Sequence, residues 1–339
     1  MKKLYLLPFL FLAITTFAQK QIVVQGSTTQ TFSDLNSAIA AATAGDTIYI
    51  PGGGFTVSGT IDKTLHWRGV GHYPDSTAAT GFTNITSGVG FSGNCDNSTF
   101  EGIYFASSVS FGTDGNETTG IIINRCRIIG LLTLRANSDI AAGHPDLNFR
   151  LNESVVANID ARLGTNVRLT KNMVFSNLTG FYQCFFDHND FNYSGTTLVY
   201  SSEFCQFTNN VFSYSYALHS TTLNCNFQNN LFQAGMPFDP VITTHTSSEN
   251  ITGVGVANIY TSISSNNYSF DYANDYHLKA GSPGIGAATD GTNIGIYGTS
   301  LPYKDGAVPY APHIRAANID NEAVSGNLGV QITVAAQER

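Results

Sequence analysis

Three six-residue segments of this 339-residue chain, FDHNDF, FTNNVF and FQNNLF, share the pattern apolar-x-x-Asn-x-apolar, with their asparagines at Asn189, Asn210 and Asn230. The same frame extends upstream through LTKNMV with Asn172, LNESVV with Ser154, INRCRI with Cys126 and FEGIYF with Ile103, and downstream to ISSNNY with Asn266. Successive key positions lie 23, 28, 18, 17, 21, 20 and 36 residues apart, a period near 20 whose insertions read as loops. Helical repeats of that length need amphipathic runs of about ten or more residues. Here short β-branched and aromatic runs alternate with Gly, Asn and Ser, which favours strands. Short strands recurring at one period wind into a solenoid whose coils hydrogen-bond to their neighbours about 4.8 Å away. Equivalent positions then stack, and a buried Asn at a bend pairs its amide with the Asn above and below. The asparagines therefore read as internal structure rather than as a binding site.

A solenoid has ends that would pair with other chains unless covered. In TFSDLNSAIAAATAGDTIYIPGG, Ser33 can cap a helix over about residues 33–44, with Leu35, Ala38, Ile39 and Ala42 on one face and Gly45 as its stop. Thr47 to Ile50 then starts the first strand. That opening, followed by coils with an Asn ladder, resembles the right-handed parallel β-helix proteins of the pectate-lyase-like superfamily. The segment DYHLKAGSPGIGAATDGTNIGIYG, residues 275–298, is similar to the last coil of their uncharacterised secreted bacterial members. The expected fold is thus all-β, a right-handed parallel β-helix with an N-terminal capping helix, over residues 19–300. From Leu301, Pro302, Pro309 and Pro312 exclude a central strand, so residues 301–339 read as a linker followed by a strand pair, HIRAANID and LGVQITVAAQ.

The first 18 residues place Lys2 and Lys3 before an apolar run and end in Thr16 and Ala18, the pattern of a cleavable export signal. The run from Leu4 to Ala18 is short of the ~20 residues that a membrane span requires, and no later stretch is apolar enough. The expected compartment is the periplasm, cell surface or medium. Charged residues make up 12% of the chain, with a formal charge of −8 and 16 basic residues in all, which argues against a nucleic-acid partner. The five cysteines leave at least one unpaired. Cys184, Cys205 and Cys225 each stand two residues before a repeat Phe, so they read as small apolar side chains stacked in the core.

The resemblance is nearly silent on reaction, because one fold hosts many functions. It implies two candidate chemistries: β-elimination on a uronate by a basic residue, or hydrolysis by paired Asp groups. No Asp-Asp pair, Gly-His-Gly or Arg-Ile-Lys of the hydrolases is present, nor an Asp-rich calcium cluster with the arginine motif of the pectate lyases. Asn116-Glu117 occurs without the arginine-bearing continuation of the alginate and chondroitin lyase branch. No cofactor is expected; Asp290-Gly291-Thr292-Asn293 has oxygens suited to Ca²⁺ but lacks the further carboxylates of a recognised loop.

Position in the repeat gives the remaining argument. If the ladder residue points inward, its predecessor points outward, and across coils that position reads Gly102, Arg125, Glu153, Lys171, His188, Asn209, Asn229 and Ser265. Arg127 and Asp190 follow the ladder residue, Asp187 follows the first apolar position, and Arg150 and Arg168 precede it. One flank of the central coils therefore gathers charge. Its bland reading is a salt-bridged solvent face; its functional reading is a groove for an acidic glycan. In that groove Lys171, His188 or Arg125 would be the candidate base, and Arg127, Glu153, Asp187, Asp190, Arg150 and Arg168 the candidate substrate contacts. Tyr193, Tyr200, Tyr214, Tyr216, Tyr268, Tyr272 and Tyr276 offer a second surface on which sugar faces could stack. The expected role is interaction with extracellular polysaccharide, with a polysaccharide lyase as the catalytic alternative and a structural or adhesive protein as the third.

Overall fold

The computed structural model describes residues 21–112, 116–135, 143–193, 195, 197–214, 217–238, 244–263, 270–309, 312–320 and 325–335. The expected export signal over residues 1–18, and Ser265, Asn266, Tyr216 and Tyr268, lie outside them. The chain is a parallel β-helix whose coils form three stacked sheets. The first sheet stacks ten parallel strands, beginning with Thr47–Tyr49, His66–Arg68 and Thr99–Glu101 and ending with Gln206–Thr208, Asn226–Gln228 and Thr246–Ser248. The second includes Tyr104–Phe105, Met173–Val174, Asp190–Phe191, Val211–Phe212 and Leu231–Phe232. The third includes Val89–Phe91, Val109–Phe111, Leu178–Phe181 and Thr197–Tyr200.

In nine of the ten strands of the first sheet the inward position at one register is apolar: Ile48, Trp67, Phe100, Ile123, Leu151, Leu169, Phe186, Phe207 and Phe227, with Ser247 at that register in the tenth. Identical residues at one register stack face to face, with Phe186 and Phe207 centroids at 4.4 Å and Phe207 and Phe227 at 4.7 Å. Each such ring, fully removed from water, contributes about 1.5–3 kcal/mol. All five cysteines are free and buried.

The corner between the first and second sheets holds the ladder. Asn172 donates from its backbone N and its Nδ2 to Asn189 Oδ1, at 2.9 and 3.0 Å, and Asn189 does the same to Asn210, and Asn210 to Asn230. The second amide hydrogen of each goes to a carbonyl, as from Asn210 Nδ2 to Phe186 O at 2.9 Å, so the buried amides are satisfied. Upstream, Ser154 Oγ accepts from Cys126 N at 3.1 Å and so takes the amide's place. The last rung among the described residues is Asn250, whose Oδ1 accepts from Asn230 N at 2.9 Å; the expected rung at Asn266 lies outside them. Asn250 escaped the pattern because Ser247 and Thr252 stand where it demands apolar residues, at the last described coil.

The N-terminal cover forms, with adjustments. The helix is Leu35–Ala41, capped by Asp34, whose carboxylate accepts from Ser37 N at 2.8 Å, rather than by Ser33. It ends at Ala42, before Gly45. Ile22–Gln25 pairs antiparallel with Thr47–Tyr49 and closes that edge of the first sheet.

The C-terminal part departs most from expectation. Among the described residues the last strand of the parallel stack is Thr246–Ser248, and residues 287–309 do not add a coil. They run back along the ladder corner. Ala287 O accepts from Asn229 Nδ2, and Thr289 exchanges two hydrogen bonds with the Asn209 side chain. Ile296 N then reaches Asp190, Leu301 O accepts from Lys171 Nζ, and Val308 O accepts from Arg125 Nη1. Residues 301–309, expected as a linker, are the lower half of this return segment: Tyr303 is buried and bonded to Tyr73, and Pro309 lies against Gly102. Beyond them, His313–Ile319 and Val330–Ala335 pair antiparallel.

Candidate functional site

The return segment divides the expected flank of charge into three environments. At the corner, the residue before each ladder position adopts left-handed backbone geometry: Arg125, Glu153, Lys171, His188, Asn209 and Asn229 have φ between 50° and 59°. Asn accepts that conformation readily; the other four do so at a cost of about 1–2 kcal/mol each, which surrounding contacts offset. These side chains do not form an open face. Arg125 is 1% exposed, His188 2%, Glu153 7% and Lys171 8%. Glu153 Oε2 takes Arg125 Nε and Nη2 at 2.8 and 2.6 Å, and Oε1 takes Lys171 Nζ at 2.9 Å. The remaining donors go to the Val308 and Leu301 carbonyls, so two cations and one carboxylate form a closed triad beneath the return segment. His188 Nδ1 donates to Asp187 Oδ1 at 2.9 Å, while its ring edge meets Gly298. Any Cβ at 298 would stand 2.2 Å from the ring, so only glycine fits there.

Arg127 and Asp190, expected to face outward, do so, but into protein. Along the second sheet, Arg127, Val155, Met173, Asp190, Val211 and Leu231 share one outward register. Val155, Met173, Val211 and Leu231 belong to a second apolar layer with Ile259, Tyr260, Tyr276, Ile294, Ile296 and Tyr303. Asp190 is the one acid in that column. Burial pushes its carboxyl up to about 8. The Arg127 guanidinium lies 4.8 Å from the Phe270 ring centroid and 4.9 Å from that of Tyr272, a stack that ties down the loop at 270–276. The signal for this layer was present in the repeat: an apolar residue on either side of the strand, as in Val211-Phe212 and Leu231-Phe232, means both faces are covered.

The third environment is open. Arg150, Arg168, Phe185 and Gln206 occupy one outward register on adjacent strands of the first sheet. Arg150 and Arg168 are exposed. They stand directly opposite one another, and among the described residues neither makes an ion pair. Arg168 lies over the Phe185 ring, 4.4 Å from its centroid. Two clefts meet there. One of about 510 Å³ is lined by Asp146, Asn166, Gln183, Phe185, Phe204 and Gln206. The other, of about 340 Å³, shares Phe185 and Gln206 and adds Arg168 and Asp187, with Thr289, Asp290 and Thr299 of the return segment as its far wall. Thr292 donates to Asp290 from N and Oγ1, which holds that carboxyl below its usual range and ionised. Asp290 thus enters the site as a groove wall. Among the described residues no three His, Cys, Asp or Glu side chains are grouped to hold a metal ion.

The structure therefore brings Arg168, Asp187 and His188 of the expected residues to one groove, with Arg150 beside Arg168 on the neighbouring strand, adds Phe185, Gln206 and Asp290, and separates them from Arg125, Lys171, Glu153, Arg127 and Asp190. The tyrosines do not form one platform: Tyr193 and Tyr214 pack on the core, and Tyr272 and Tyr276 join the covered aromatic cluster. Exposed Phe204, in contact with Tyr182, stands at the groove instead. Glu117 is held by Arg135 at 2.8 Å.

No protein family and no curated protein matches the chain. Among solved structures it is similar to a crystal structure of pectate lyase Pel9A, with 12% identity over 80% of this chain and 88% of that one and a TM-score of 0.38. At that level the likeness carries nothing about chemistry, and the parallel β-helix rests on the strand pairing itself.

Proposed function

We propose that this is an exported protein that binds an acidic polysaccharide along the outer face of its first sheet. The observation that carries the reading is the Arg150–Arg168 pair. Like charges directly opposite on neighbouring strands destabilise a sheet. In a chain of net charge −8 these two keep no carboxylate partner among the described residues. A carboxylate or sulfate on a sugar supplies the missing counter-charge, and guanidinium binds either one bidentately. Phe185 holds Arg168 flat before the ligand arrives, which lowers the entropy lost on capture. The amides of Gln206, Asn226 and Gln228 continue the outward face with hydroxyl-binding groups.

Catalysis is not part of this reading. A base at Lys171, His188 or Arg125 must touch the sugar; the return segment covers Lys171 and Arg125, and His188, which lines the smaller cleft, is 2% exposed with its Nδ1 turned to Asp187. Affinity electrophoresis through polygalacturonate, alginate or a sulfated glycan, with dextran as the neutral control, tests the proposal. Retardation in an anionic gel that is lost in Arg150→Gln/Arg168→Gln supports it; mobility unchanged by every glycan sinks it. Release of an unsaturated product that stops in Lys171→Ala would replace it with a lyase.

A further inference from the structure

The carboxyl of Asp190 is the one acid in a column of apolar side chains, with Met173 and Val211 beside it on the neighbouring strands and Gly295 and Ile296 above. A Cβ at position 295 would sit 2.6 Å from Asp190 Oδ1, so the return segment is seated hard on this group through a glycine. Two donors face it, Ile296 N at 3.4 Å and the Tyr260 hydroxyl. The other titratable groups that face it are Tyr276 and Tyr297, which are neutral acids themselves. His188, two residues away, is turned to Asp187, and among the described residues no ion pair includes Asp190. An ionised carboxylate in such a place costs several kcal/mol unless water or a cation reaches it.

We propose that Asp190 is a protonation latch for the return segment: as the neutral acid it remains seated beneath Gly295 and Ile296, and on giving its proton to solvent it forces that segment off the second sheet. The same segment carries Thr289, Asp290 and Thr299 into the groove, so opening the latch removes one wall of the proposed glycan site. The link to ligand binding rests on the functional reading above; the latch itself does not.

Hydrogen exchange of the amides at 294–298, corrected for the intrinsic pH dependence, reads the latch in the full chain without ligand. In the wild type the opening equilibrium rises roughly tenfold per pH unit between about pH 4 and about pH 8, where the carboxyl is ionised in the open state and protonated in the seated one, and levels off above. In Asp190→Asn, which keeps the shape and cannot ionise, it stays flat. Identical profiles in the two proteins, or a flat profile in the wild type, overturn the proposal. If Asp190→Asn does not fold, the wild type alone decides: an infrared carbonyl band of a protonated carboxyl should persist at pH 6 and vanish above pH 9, and its absence at pH 6 overturns the latch. Glycan retention separates the two ideas. A latch that responds while Arg150→Gln/Arg168→Gln leaves retention unchanged removes the groove reading only. Retention lost in that variant with flat exchange removes the latch only.

Discussion

The outer faces of the first and second sheets are made by the same coils, a few residues apart in each repeat, yet one is open and the other is covered by residues 287–309. On the first sheet, exposed Arg150 and Arg168 stand beside Phe185 and Gln206 with no ion pair among the described residues. On the second, an apolar column meets Ile294, Ile296 and Tyr303, and the charged corner between the sheets closes into the Arg125–Glu153–Lys171 triad. Charge in a repeat therefore has two different fates. Where it is paired and dry it fixes the position of the return segment; where it is unpaired and wet it is available to a ligand.

The sharpest way to break this contrast is to remove the carboxylate of the closed corner. Glu153→Leu leaves Arg125 and Lys171 buried without a counter-charge, at a cost of about 3–5 kcal/mol, read as a lowered thermal unfolding midpoint. An unchanged midpoint would mean that the corner is hydrated and the two faces are not so different. Asn210→Ala interrupts the ladder and leaves the Asn189 N and Nδ2 donors without an acceptor, worth about 1–3 kcal/mol in denaturant unfolding. Asp190 gives a pH signature. Its folded value of about 8 lies above the ordinary aspartate value of 3.8, so the folded state binds more protons between the two. Its share of stability is complete below about pH 4 and is lost as the pH rises to about 8. Asp190→Asn should accordingly unfold at a higher temperature than the wild type at pH 8, with the advantage vanishing near pH 4. Arg168→Gln on the open face should move stability by under about 0.5 kcal/mol while weakening retention by an anionic glycan. A large loss of stability there would place Arg168 with the structural charges.

Much of the fold was legible because a coil is a local object. The apolar-x-x-Asn-x-apolar frame at Asn172, Asn189, Asn210 and Asn230 contains the inward strand, the corner and the next strand within six residues. Its repetition implies the stack. The frame lost its grip at Asn250, where the flanking apolar slots hold Ser247 and Thr252. The site was less legible. Counting positions correctly placed Arg150, Arg168 and Asp187 outward, and equally placed Arg125, Lys171 and Asp190 outward, because direction from the coil axis follows from spacing and cover does not. Thr289 and Asp290 were beyond reach, since they meet Asn209 and the groove across 80 residues of sequence.

The sequence by itself determined the coil period, the Asn ladder, the apolar stack and the helical cover, all of which depend on residues near one another in the chain and on backbone pairing at a fixed spacing. Tertiary structure decided which outward side chains meet water. The path of residues 287–309 back down the corner is set by contacts with six levels of the stack, from Asn229 to Gly102 by way of Asn209, the coil of His188 and Asp190, Lys171 and Arg125. No local pattern encodes that path, because it arises from matching one long segment against a surface that exists only after the coils have stacked.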